Sequence, residues 1–139
     1  MGRDMETAVK AIILKKDGRI LVLEQRVDGE LFYSLPGGRM KEGTNEVDEL
    51  KREVREETGL EISDAEYVGD WMFERKDGTK RLCKTYLGRE FAGELTTAGK
   101  ENYEELGPMW LLPDEFVTKC SNSKSLSDLL KGLRNEGKV

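Results

Sequence analysis

The sequence predicts an α+β domain in which a mixed sheet is covered by two main helices. Three observations carry that prediction. Short β-branched and apolar runs flank Asp-Gly pairs at 17–18 and 77–78, a dipeptide favoured in tight hairpins. Between these lies one strongly acidic stretch of helical period, residues 46–58. Leucines at helical spacing then occupy 125–134.

The elements follow in order. Residues 8–14 (AVKAIIL) form a buried strand, and residues 20–25 (ILVLEQ) return from a hairpin turn at 16–19. Arg26 at the end of the second run is either a surface charge or a clamp for phosphate or base. Residues 31–35 form a short strand running into Pro36-Gly37-Gly38. That triplet is either a plain turn or a place where the backbone closely approaches a ligand.

Asn45 is a good helix N-cap with Asp48 three residues on, and Gly59 supplies the left-handed stop. At about 100° per residue, Val47, Leu50 and Val54 share one stripe. Glu46, Glu49, Glu53, Glu56 and Glu57 gather about a quarter-turn away. Charges that close repel one another. Such a ridge is either a solvated face or the oxygen-donor set that a hard divalent cation such as Mg²⁺ requires.

Beyond the helix, 66–76 and 79–91 read as a long hairpin. Trp71, Phe73, Leu82, Tyr86 and Phe91 are core candidates. One arm is basic through Arg75, Lys76, Lys80, Arg81 and Lys84, and edge protection explains it better than phosphate binding. A polar loop follows at 92–107, then a strand at 109–112. Pro113 ends that strand, with Asp114 available as the next N-cap. In the last helix Gly132 costs about 1 kcal/mol relative to Ala, and the final residues are expected to fray.

Composition narrows the function. The chain has 139 residues, enough for one domain spanning 1–139 with its own core. No apolar run approaches the roughly 20 residues of a membrane span, and the first ten residues lack a signal-peptide core, so a cytoplasmic location is expected. Cys83 and Cys120 lie far apart, which argues against a disulfide framework or structural zinc. Histidine is absent, which removes Ser-His-Asp and Cys-His systems, His-ligated metals and imidazole bases. A net charge of −5 disfavours nucleic acid as a partner. The same charge repels phosphate unless cations intervene.

The run from Gly38 through Thr44 to Arg52-Glu53-Val54-Arg55-Glu56-Glu57-Thr58-Gly59-Leu60 resembles the Nudix box, G-x5-E-x7-R-E-U-x-E-E-x-G-U with U aliphatic. Thr44 is the one departure, standing where the family usually has Glu. It bears on metal geometry and rate more than on reaction type. The resemblance implies a Nudix-like α/β/α sandwich, MutT-like in function. In it Mg²⁺ or Mn²⁺ would be held by Glu53, Glu56 and Glu57 with the carbonyl of Gly37.

The resemblance also implies a further acid from the loop before the Trp110 strand. Glu104 fits best, with Glu101 and Glu105 as rivals. Arg52 would orient a ligating carboxylate, Glu53 or Glu104 would serve as general base, and Gly38, Arg39 and Arg26 would contact substrate. The expected substrate is a nucleotide-type small molecule, a nucleoside triphosphate or a nucleoside diphosphate linked to another group. The proline placement associated with ADP-ribose hydrolases is not matched near position 75. A homodimer is compatible with the sequence. The competing function is a catalytically silent Nudix-fold module that binds nucleotide or a regulatory ligand, and a third is a purely structural acidic domain.

Overall fold

Both Asp-Gly turns form: Asp17 Oδ1 accepts the Arg19 amide at 3.0 Å and Asp77 Oδ1 the Thr79 amide at 2.9 Å. They lead to different outcomes. The computed structural model describes residues 5–27, 29–74, 77–96, 104–119 and 124–139, with backbone alone for Met5, Gln25, Val27, Glu104, Glu105 and Leu106. Around the second turn, β6 (Glu66–Glu74) and β7 (Lys80–Gly88) pair as the expected antiparallel hairpin. Around the first, β1 (Met5–Ile13) and β2 (Ile20–Val27) form no ladder among the described residues: an isolated Leu14–Ile20 bridge closes the turn and the strands then part.

β1 parts from β2 because both its edges are taken. It pairs antiparallel with β4 (Gly37–Arg39) and parallel with β7, giving the sheet order β4-β1-β7-β6. β2 lies instead between β3 (Glu30–Ser34) and β9 (Glu104–Leu111). A small ladder joins β5 (Leu60–Ile62) to β8 (Phe91–Gly93).

Side chains alternate across β1, and both sets are buried. Val9, Ala11 and Ile13 pack with Leu50 and Val54 of helix α1 (Glu46–Thr58). Ala8 and Ile12 pack with Phe116 of α2 (Pro113–Lys119) and with Leu126, Leu130 and Leu133 of α3 (Lys124–Asn135). A strand buried on both faces reads as an apolar run without alternation, as residues 8–14 do. The layering is α/β/α, with α1 on one side and α2 and α3 on the other.

Several sequence expectations are corrected. The Gly-Gly segment is an edge strand rather than a turn, held to β1 by the Pro36 carbonyl and the Met40 amide. The basic arm β7 is an interior strand: Arg81 reaches Glu6 and Lys84 reaches Glu46, so its cations neutralise acids instead of guarding an edge. Arg75 and Lys76 lie outside the described residues.

The polar region after the hairpin is not all loop. β8 begins at Phe91, and β9 starts at Glu104, pairing with β2 back to Arg26 across a bulge. Pro108, which lacks an amide proton, stands opposite Leu23 in that strand. Asp114 does not cap α2. Pro113 opens the helix, Glu115 accepts the Leu112 amide at 2.9 Å, and Asp114 pairs with Arg134. The C-terminus is tied down rather than frayed. The Lys138 amide bonds the Leu133 carbonyl, Lys138 Nζ reaches Glu66 at 2.5 Å, and Val139 packs on the core. No helix among the described residues is long and apolar enough to cross a membrane.

Candidate active site

Helix α1 is set at both ends by its own sequence. Asn45 Oδ1 accepts the amides of Val47 and Asp48 at 3.0 and 3.1 Å. Glu46, Asp48 and Glu49 in the first turn complement the positive end of the helix dipole. At the other end Gly59 has φ 81° and its amide bonds the Arg55 carbonyl. Thr58, fully buried, donates to the Val54 carbonyl and accepts the Leu60 amide. Burying Leu50 and Val54 contributes about 1.5–3 kcal/mol each and lays the helix over β1, β4 and β5.

That docking sorts the carboxylate ridge. Glu49 and Glu57 are only 5% and 7% exposed, the Glu53 side chain is 14% exposed, and Glu56 is 47% exposed. Glu46 leaves the ridge for β7, where it accepts from Lys84 Nζ at 2.7 Å and from the Tyr86 hydroxyl. Glu57 Oε1 accepts the Gly37 amide at 2.8 Å. The Glu53 carboxyl lies over Gly38: a Cβ there would stand 2.5 Å from its Cδ and Oε2. Glu53 and Glu57 therefore converge on one two-residue stretch of edge-strand backbone.

Arg52 binds the ridge together. Its Nε and Nη2 donate to the two oxygens of Glu49, Nη2 also donates to Glu53 Oε2 at 3.2 Å, and Nη1 donates to Glu56 Oε2 at 2.8 Å. The Arg52 hydrogen bond holds Glu49's carboxyl below the ordinary carboxylate range against the opposing effect of burial. The same bond, with that of Glu56, raises the guanidinium pKa further.

The oxygen chemistry fits a hard divalent cation, since Glu53, Glu56 and Glu57 are carboxylates and the Gly37–Gly38 backbone beside them is free of side chains. Among the described residues no three acidic or thiol side chains stand close enough together, as placed, to hold a metal ion. One oxygen each of Glu53 and Glu56 is given to Arg52; their Oε1 atoms accept no hydrogen bond among the described residues.

The other sequence candidates fall as follows. Gly37 and Gly38 stand against the ridge. Arg39, largely exposed at the end of β4, pairs with Glu6 at 2.9 Å. Arg26 is exposed on β2 and donates to the Gly29 carbonyl at 3.5 Å. The Glu104 backbone lies opposite Arg26 in the β2–β9 ladder; the side chains of Glu104 and Glu105, and the whole of Glu101 and Tyr103, lie outside the described residues. Thr44 is exposed and its hydroxyl donates to the Lys41 carbonyl at 2.6 Å.

One neighbour of the site escaped the sequence reading. Lys10 of β1, opposite Gly37, donates from Nζ to the Leu35 carbonyl at 3.3 Å. Burial pushes its ammonium pKa down, while the charges of Glu57 and Glu53 pull it back up. Its only signal in the sequence is a lysine inside an otherwise apolar strand.

Comparison with known proteins identifies the family and the fold. A sequence model described as the NUDIX domain matches residues 5–130. An uncharacterised Nudix hydrolase, YvcI of Bacillus subtilis, is 29% identical over 93 residues, covering 64% of this chain and 58% of its own. A MutT-like protein of Streptomyces ambofaciens is 25% identical over 114 residues, covering 82% of this chain and 68% of its own. The chain thus spans between about half and two thirds of these curated relatives. The MutT protein of Methanosarcina mazei Go1 superposes with a TM-score of 0.81 at 20% identity, covering 100% of this chain and 99% of that one, a likeness of fold.

Proposed function

The chain belongs to the NUDIX family, and on that premise we propose that it hydrolyses a diphosphate linkage in a nucleoside diphosphate derivative with Mg²⁺ or Mn²⁺. The substrate class is a nucleoside triphosphate or a nucleoside diphosphate joined to another group. The observation that carries this proposal is the convergence of Glu53 and Glu57 on the Gly37–Gly38 backbone, with Glu56 one turn away.

In this account Glu53, Glu56 and Glu57 hold the cation with the carbonyl of Gly37. Strand alternation along β4 turns that carbonyl to the same outer edge as the amide bonded to Glu57. Glu104, from the strand beside Arg26, is the candidate fifth donor. A divalent cation bound there would polarise the phosphorus-bound oxygens and lower the pKa of an attacking water.

The remaining work belongs to the chain. The Gly37 amide fixes Glu57 in one orientation. Arg52 offsets the repulsion among three acids and holds Glu53 and Glu56 turned to the same side. Glu53 or Glu104 accepts the water's proton, and Arg26, Arg39 and Gly38 contact the nucleotide. Because positioning and electrostatics dominate phosphoryl chemistry, no covalent nucleophile is needed, consistent with a histidine-free chain.

A panel of nucleoside triphosphates and diphosphate conjugates assayed with Mg²⁺ tests the proposal. Turnover is expected on at least one member, falling on the order of 100-fold in Glu56→Gln and in Glu57→Gln. Unchanged turnover in both variants would defeat the assignment. A second reading, a nucleotide-binding module without turnover, is favoured by one observation: the Thr44 hydroxyl is spent on the Lys41 carbonyl and the position brings no carboxylate. Binding of panel members with no product at any metal concentration would decide for it.

A further inference from the structure

One acid of the helix is not among the cation's proposed ligands. Glu49 lies one turn before Arg52 and is almost wholly buried. Its two oxygens take the Nε and Nη2 edge of the guanidinium, the bidentate geometry that fixes an arginine in both distance and plane. Nη1 is left for Glu56, and Nη2 is shared between Glu49 and Glu53. Without Glu49, Arg52 would keep only an exposed i,i+4 pair with Glu56 and a longer contact to Glu53. Pairs of that kind hold a long side chain weakly.

We propose that Glu49 is a positioning residue: by clamping Arg52 it sets the plane in which the guanidinium takes one oxygen each from Glu53 and Glu56, leaving their other oxygens for the cation. The inference rests on the metal-dependent reading above. It assigns to Glu49 a part that neither helical periodicity nor the box pattern gives it. A freed guanidinium would instead compete for both oxygens of its neighbours, so losing Glu49 weakens cation binding even though Glu49 does not touch the cation.

Calorimetric titration of Mn²⁺ into the metal-free protein, without substrate, tests this. Glu49→Gln and Asp48→Asn each remove one negative charge from the same helix, but Asp48 is exposed, and the hydrogen bonds and ion pairs of Arg52 go to Glu49, Glu53 and Glu56 instead. Glu49→Gln is expected to weaken Mn²⁺ binding about 10- to 100-fold, the usual cost of losing an outer-shell partner. Asp48→Asn is expected to stay within about 2-fold of wild type, the size of a screened surface charge effect.

Glu49→Asp keeps the charge but shortens the reach, so it is expected to fall between wild type and Glu49→Gln; it also decides the matter if Glu49→Gln does not fold. Equal affinities for Glu49→Gln and Asp48→Asn, or a Glu49→Asp variant indistinguishable from wild type, overturn the inference alone. Failure of wild type to bind Mn²⁺ overturns the metal-dependent reading and this inference with it.

Discussion

At residue scale the candidate site is built around two glycines whose missing side chains matter for different reasons. Gly38 leaves room for a carboxylate: its missing Cβ is the space occupied by the Glu53 carboxyl group. Gly37 serves the backbone: at φ 147° it lies in a region that favours glycine, and an added Cβ would collide with the Val9 carbonyl oxygen. Alanine at the two positions should therefore separate activity from stability.

Gly38→Ala is expected to melt close to wild type, because the group it displaces is the far end of a flexible side chain. It should lose on the order of 100-fold in turnover, as a misplacement of about 1 Å in a catalytic group does. Gly37→Ala should lose about 1–3 kcal/mol or more of stability. Thermal melts and initial rates on the same preparations check both; a Gly38→Ala enzyme with wild-type rate would detach Glu53 from the chemistry. The spacing of Glu53, Glu56 and Glu57 made them legible in the sequence. The Glu49–Arg52 contact was not, because periodicity marks a stripe without telling which of its acids is buried; nor was the place of Lys10 beside Gly37, which depends on the distant pairing of β1 with β4.

At the scale of elements, α1 was readable to the residue because its signals are local: an Asn cap, an apolar stripe and a terminal glycine. The pairing of β1 was not readable, since both its partners are distant in sequence and the Asp-Gly turn suggested a hairpin that β4 and β7 displace. β9 was hidden for a related reason: Gly107 and Pro108 look like loop, yet β2 supplies an edge that pairs through them.

The first turn of α1 is fastened to β7 by Glu46, and this link has a pH signature. Burial, and then the hydrogen bond to Glu46, push the Tyr86 phenol up to about 12 from an ordinary value of 10.0. A raised pKa in the folded state means the stabilisation is complete below pH 10 and fades as pH rises towards 12. Lys84's hydrogen bond holds Glu46 below the ordinary carboxylate range, so the acid limb of the same link fails only as pH falls through that lowered value. Ultraviolet titration of the phenolates should show a late step that Tyr86→Phe abolishes. Wild-type and Tyr86→Phe curves that differ only by a step near 10 would contradict the assignment.

At the scale of the molecule, the two cores on either face of β1 explain why a short edge strand and a helix end can carry a site. α1 is held by one core, and β4 by pairing with the strand that both cores share, so the distance between Glu57 and Gly37 is fixed by the body of the protein. The layered class of the fold was legible from the alternation of apolar strands with two amphipathic helices. The division of the strands among separate ladders was not, because register and partner choice are set by burial rather than by local propensity.

The central claim is that three acids of α1 and the Gly37 carbonyl share one divalent ion. A crystal soaked in Mn²⁺ and measured for anomalous scattering tests it most directly. The account predicts a peak bounded by Glu53, Glu56, Glu57 and the Gly37 carbonyl oxygen; a soaked crystal with those carboxylates facing only solvent, or with the ion bound elsewhere, would contradict it.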